Sequence, residues 1–146
     1  MKAKVVNEQL VAICVGNSVF YTLPIQSFEG YFATTDGHIL SAISGRSVTG
    51  SSAMYEPIKL KARDSNGYLI VDLSQAGSMV TRRVHRLIAS TFLVAPDNYI
   101  HKDYLEKERS QVNHIDGDKH NNALSNLEWV SAPENIQHYY KYLKAS

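Results

Sequence analysis

Residues 111–130 read QVNHIDGDKHNNALSNLEWV. Histidine, aspartate and asparagine crowd around a single glycine, and the chain then returns abruptly to Leu127, Trp129 and Val130. Three structures use such residues: a calcium loop, an ordinary polar turn and a catalytic metal site. A calcium loop needs oxygen ligands at alternate positions, glycine at the sixth and a bidentate glutamate at the twelfth. Counted from Asp116, glycine falls second, the sixth place is Asn121 and the twelfth is Leu127, so that reading fails. A polar turn accounts for Asp116-Gly117 and Asn121-Asn122, whose side chains bond nearby backbone groups. It does not account for His114 just inside the first strand, nor for Asn135 and His138 one helical turn apart further on. A catalytic site asks for an imidazole that titrates near neutral pH and for hard ligands to a divalent cation. His114 supplies the first, and Asn135 and His138 share one helix face.

The surroundings supply a scaffold. QVNH reads as a strand entering the loop and LEWV as a strand leaving it. Ser131 is placed as an N-cap, with Pro133 in the first turn and Glu134 at N3, so a helix should run through ENIQHYYKYLKA. Its apolar stripe is Ile136, Tyr139, Tyr140 and Leu143. The order is strand, polar turn, strand, helix. Neighbours on a regular strand point to opposite faces, so Asn113 and His114 can share one centre only where the strand twists or bulges.

Upstream, Val84, Leu87, Ile88 and Phe92 recur at helical intervals and predict a short amphipathic helix from about Arg82 to Phe92, closed by Pro96. The first half is β-rich. QLVAIC and SVFYTL form a hairpin turning near Gly16-Asn17, and Pro24 ends the second strand. Two more strands flank Asp36-Gly37, and Asn66-Gly67 and Ala76-Gly77 are further turn points. GRSVTGSSAM is small and polar and reads as a loop.

Composition narrows the class. A chain of 146 residues, 44% hydrophobic and 20% charged, suits an ordinary globular protein with a modest core. The single cysteine, Cys14, excludes an internal disulfide framework, and its place in LVAICV predicts a buried, inert thiol. That apolar run is too short for an export signal, no segment approaches a membrane span, and a cytoplasmic location follows. Net charge is only +1, yet between His38 and Ser90 seven basic residues face three acidic ones. Such an excess suits either solvated surface charge or a nucleic-acid footprint.

Three stretches carry a family signature: VHRLIASTF (84–92), VNHIDGDKHNNALSNLEWV (112–130) and PENIQH (133–138). In order and spacing they resemble the HNH homing-endonuclease family common in bacteriophages, over about residues 80–140. LPIQSFEGYFATTDGHILSA resembles the small β-rich module that often precedes such nuclease domains, and residues 57–73 fit its connecting strands. The resemblance implies an α+β chain: a β-rich, DNA-contacting region over 1–77, then a ββα-metal nuclease domain over 78–146.

It also implies a metal-dependent DNA endonuclease. His114 matches the general base, and Asn126 the residue that ties the turn and positions that base. Asn113 and Asn135 match ligands of one divalent cation, Mg2+ or Mn2+, and His138 is a further ligand or a phosphate contact. His85 and His120 are expected to be satisfied structural histidines, and Trp129 to lie in the core. Lys59, Lys61, Arg63, Arg82, Arg83 and Arg86 would contact the phosphates of double-stranded DNA. One site cuts one strand, so a monomer should nick and a homodimer could break both strands. No protein partner is evident, and a phage-encoded protein would act in the cytoplasm of its bacterial host. The rival reading is a catalytically weak or silent DNA-binding protein that keeps the fold. The neutral amide of Asn113 keeps it open.

Overall fold

The computed structural model describes residues 6, 8–43, 56–94, 111–130 and 141. Val11–Val15 (β1) and Ser18–Pro24 (β2) pair antiparallel across Gly16-Asn17, with Val15 opposite Ser18. Pro24 is the last residue of β2, where its missing N–H costs the ladder least. Tyr31–Thr34 (β3), Ile39–Ser41 (β4) and Ile58–Lys59 (β5) complete an antiparallel sheet of five strands in sequence order. The turn between β3 and β4 is closed by Thr34, whose hydroxyl donates to the Asp36 carboxylate and accepts from the His38 amide at 2.9 Å.

A second sheet contains Arg63–Ser65 (β6), Tyr68–Gln75 (β7) and Ser78–Arg83 (β8). Asn66 and Gly67 both have positive φ, as the two-residue turns that match strand twist require. The boundary expected at residue 77 falls in the turn between β7 and β8, which are joined from Ile70↔Arg83 to Gln75↔Ser78.

The helix α1 spans Val84–Phe92. Val84, Leu87, Ile88 and Phe92 are all buried, as their spacing requires. The expected start at Arg82 is corrected: pairing with Val71 and Ile70 keeps Arg82 and Arg83 extended at the end of β8. After the helix come Gln111–His114 (β9) and Leu127–Val130 (β10), an antiparallel ribbon joined by a loop that ends in a short 3₁₀ turn at Leu124–Asn126. The two strands read from the sequence are therefore in place. The helix expected from Ser131, the end at Pro96 and the GRSVTGSSAM loop lie outside the described residues, apart from the last helix's Lys141.

One core joins the three parts. Tyr31 and Ile39 from the first sheet, Val71 and Leu73 from the second, Ile88 and Phe92 from α1, and Val112 and Leu127 from the ribbon form one buried cluster. Full burial of Ile88 or Phe92 contributes about 1.5–3 kcal/mol each. The Tyr31 hydroxyl accepts from the Ser74 amide at 2.8 Å, which ties β3 to β7. Cys14 departs from expectation. It is exposed, because β1 forms the rim of its sheet. No helix among the described residues is long and apolar enough to cross a membrane.

Candidate active site

His114 ends β9, opposite Leu127, and is only 5% exposed. Its Nε2 lies 2.8 Å from Oδ1 of Asn122, which is itself buried. An amide oxygen can only accept, so Nε2 carries the proton and the neutral ring keeps its lone pair on Nδ1. Burial pushes the His114 imidazole below its ordinary range, while the Asn122 bond and the Asp116 and Asp118 carboxylates pull the other way. The result is a neutral, oriented imidazole at neutral pH.

A second histidine packs against it. The His85 ring, in the first turn of α1, lies 5.0 Å from that of His114 and stacks on Tyr68, also at 5.0 Å. Its Nδ1 is buried with no hydrogen-bond partner among the described residues. His85 is thus not the satisfied structural histidine expected, but a neighbour of the candidate base with one nitrogen unspent. Its imidazole is pushed down to about 3, chiefly by burial and then by the charges of His114, Arg86 and Arg83.

The unfolded chain takes up a proton at His85 near pH 6.5, whereas the folded chain refuses it until about 3. Between those values the unfolded state binds the extra proton, so stability is full above the window and falls as pH drops through it. The expected loss on going from pH 7 to about pH 5 is ~2 kcal/mol. Urea unfolding at the two pH values measures it, and His85→Phe should remove most of the difference. Equal wild-type stability at both would contradict the burial of a neutral His85.

The loop itself is a closed set of hydrogen bonds. The Asp116 carboxylate accepts from the Asp118 amide at 2.8 Å, from Asn121 Nδ2 at 2.8 Å and from Asn126 Nδ2 at 2.9 Å. These donors, Asn121 first, hold its pKa below the usual carboxylate range. Asn126 also donates to the Asn121 carbonyl at 2.9 Å and accepts from the Asp116 amide at 3.0 Å. Asn126 thereby spans the loop at three points. The polar-turn reading accounts for these residues, while His114 and Asn122 stand apart as a pair.

The loop is braced from the β-rich half. His120 Nε2 meets the Asp64 carboxylate at 2.6 Å, a bond that lowers the Asp64 pKa. The Leu124 amide donates to the Thr35 carbonyl at 2.9 Å. Gly37, at φ +96°, sits so close that a Cβ there would lie 2.5 Å from the backbone carbon of Asn122. The turn between β3 and β4 therefore sets the position of the residue that holds His114.

Residues 101–137 match the model of the HNH endonuclease family. This segment belongs to the HNH endonuclease family. An uncharacterized HNH endonuclease of Acanthamoeba polyphaga mimivirus is 32% identical over 119 residues, covering 82% of this chain and 30% of the relative. DNA endonuclease I-HmuI of Bacillus phage SP01 is 28% identical over 114 residues, covering 77% of this chain and 53% of that protein. A solved structure of DNA binding and cleavage by the HNH homing endonuclease I-HmuI matches with a TM-score of 0.60 and 28% identity, over 82% of this chain and 57% of that one. The chain thus spans about a third to a half of the length of these curated relatives. The likeness reaches beyond the HNH segment into the β-rich half.

The expected HNH ligands divide. Asn113 is 5% exposed and sits opposite Glu128 on β10, to which its Nδ2 donates at 3.0 Å. A carboxylate can only accept, so this bond fixes the amide and leaves Oδ1 as the one atom of that side chain able to ligate a cation. An amide oxygen with a carboxylate beside it is a hard donor set and suits Mg2+ or Mn2+. Asn135 and His138 lie outside the described residues. Among the described residues no group of three or more His, Cys, Asp or Glu could hold a metal.

The expected cations also differ in availability. Lys59 and Lys61 are exposed. Arg63 is gripped by both oxygens of Asp72, at 2.7 and 3.1 Å, which engages its guanidinium fork. Arg82 lies over Phe28 and Arg86 over Trp129, while Arg83 lies over Tyr68. Trp129 packs partly buried against the core. Asn122, Tyr68, Lys119 and Glu128 carried no signal that separated them from turn or strand residues in the sequence.

Proposed function

We propose that this chain is a metal-dependent DNA endonuclease that hydrolyses one strand of double-stranded DNA per site. The observation that carries it is the neutral His114, tied at Nε2 to Asn122 and left with a basic Nδ1, within an HNH segment. In this reading Nδ1 takes the proton of the water that attacks phosphorus. Asn122 Oδ1 holds the ring during the transfer, and the Asp116 and Asp118 carboxylates favour the imidazolium that forms. Asn126 keeps the loop closed around that pair.

Asn113 through Oδ1, together with Asn135 and His138, would hold one Mg2+ or Mn2+. When bound, that ion supplies charge stabilisation at the phosphate oxygens. Products with a 5′ phosphate and a 3′ hydroxyl follow. Docking rests on Lys59, Lys61, Arg82, Arg83 and Arg86 from the β-rich half and α1, with Arg63 contributing less because Asp72 engages it. A monomer nicks.

Supercoiled plasmid tests the proposal. Nicked circles should form with Mg2+ or Mn2+, vanish with chelator, and decline steeply as salt rises from about 50 to 200 mM. The neutral Asn113 amide, committed to Glu128, favours a second reading, a silent DNA binder. DNA retained in a gel shift but never nicked with either metal would establish that reading.

A further inference from the structure

Beside His114 the aromatic ring of Tyr68 carries two cations. Arg83 Cζ and Lys119 Nζ each lie 4.7 Å from its centroid. The same ring is 6.2 Å from that of His114. Arg83 comes from the end of β8 and Lys119 from the HNH loop, so two distant parts of the chain deliver positive charge to one place. The cations are separated by no more than the sum of their two distances to the ring.

Two like charges on one ring repel each other. The negative face of the ring offsets part of that. No ion pair among the described residues engages either one; Arg63 has Asp72, and Asp64, the carboxylate that acts on Lys119, is already bonded by His120 at 2.6 Å and by the Gly67 amide at 3.1 Å. The arrangement is relieved when an anion joins the pair.

We propose that Arg83 and Lys119, mounted on Tyr68, form a seat for the backbone phosphates of DNA next to the scissile bond. The proposal rests on the DNA-cleaving reading above and adds to it Lys119 and Tyr68, neither of which was expected to touch DNA. Arg83 grips a phosphate with its planar fork and Lys119 acts as a point charge beside it. Tyr68 touches no phosphate; it sets where the two cations stand. The seat is blind to base sequence, because phosphates are the same at every step.

The test is binding of a labelled duplex by fluorescence anisotropy, in chelator so that no strand is cut, across the same salt range. Lys119→Met and Arg83→Met should each weaken binding about three- to tenfold on any duplex and reduce the salt slope by about one. Lys119→Arg and Tyr68→Phe should bind as wild type, whereas Tyr68→Leu should fall between wild type and the single losses. Matching melting temperatures identify variants that fold. Wild-type affinity and slope in the double variant Lys119→Met, Arg83→Met would overturn the seat. If that variant still nicks plasmid and His114→Ala does not, the cleavage reading survives alone. If the wild type neither binds nor nicks DNA, both readings fall.

Discussion

Replacing His114 with alanine should reduce plasmid nicking by about a thousandfold while duplex binding in chelator stays within a few-fold of wild type. The expectation follows from the division of labour within one ring. Nε2 is spent on Asn122 at 2.8 Å, so the only atom lost that can take a proton is Nδ1. Truncation also leaves the buried Asn122 oxygen without a donor, which costs about 1–3 kcal/mol of stability. His114→Gln separates the two effects. A glutamine offers an N–H to Asn122 and no base near neutral pH, so it should restore melting temperature without restoring nicking. Nicking by both variants within a few-fold of wild type would remove His114 from the chemistry. The silent-binder reading forecasts a different pattern, with no nicking in any variant and unchanged retention of DNA.

The legible features of the sequence were those set by local physics. Turn dipeptides such as Asp36-Gly37, Asn66-Gly67 and Ala76-Gly77 lie between strands in the structure as their backbone preferences require. The helical spacing of Val84, Leu87, Ile88 and Phe92 found the buried face of α1, but not its first residue. Arg82 and Arg83 are good helix formers, and only pairing with β7 keeps them extended. Cys14 looked buried because its neighbours are apolar. An apolar run in a rim strand has no second layer to cover it. In the site, His114 stood out because a histidine where a strand enters a polar turn is chemically conspicuous. Asn122 did not, since one asparagine in a polar loop looks like the next until the fold buries it against an imidazole. His85 was undervalued for a related reason: nothing local brings residue 85 within ring contact of residue 114. Contacts between distant segments decide Tyr68 with Lys119 as well, and no window along the chain contains both.

Gly37→Ala should destabilise the protein by about 3 kcal/mol and reduce nicking at least tenfold in the fraction that remains folded. Two costs combine. At φ +96° an alanine is strained wherever it sits, and here its Cβ would also meet Asn122 backbone atoms at 2.5 and 2.7 Å and the Ala123 nitrogen at 2.8 Å. Backbone cannot swing aside as a flexible side chain can. Either the β3–β4 turn lifts, breaking the 2.9 Å bond from Leu124 to the Thr35 carbonyl, or Asn122 moves and takes its hold on His114 with it. Gly77→Ala isolates the strain: φ there is +84°, and nothing lies within 4 Å of the added Cβ. That control should lose stability by about 1–2 kcal/mol with nicking per folded molecule unchanged. Thermal melts and nicking rates measured well below the melting temperature of each variant give the comparison. Equal losses of stability and equal nicking in the two variants would mean that the β3–β4 turn does not position Asn122. A larger loss at residue 37, in rate as well as stability, would mean that the first sheet holds the site from a distance of more than seventy residues along the chain.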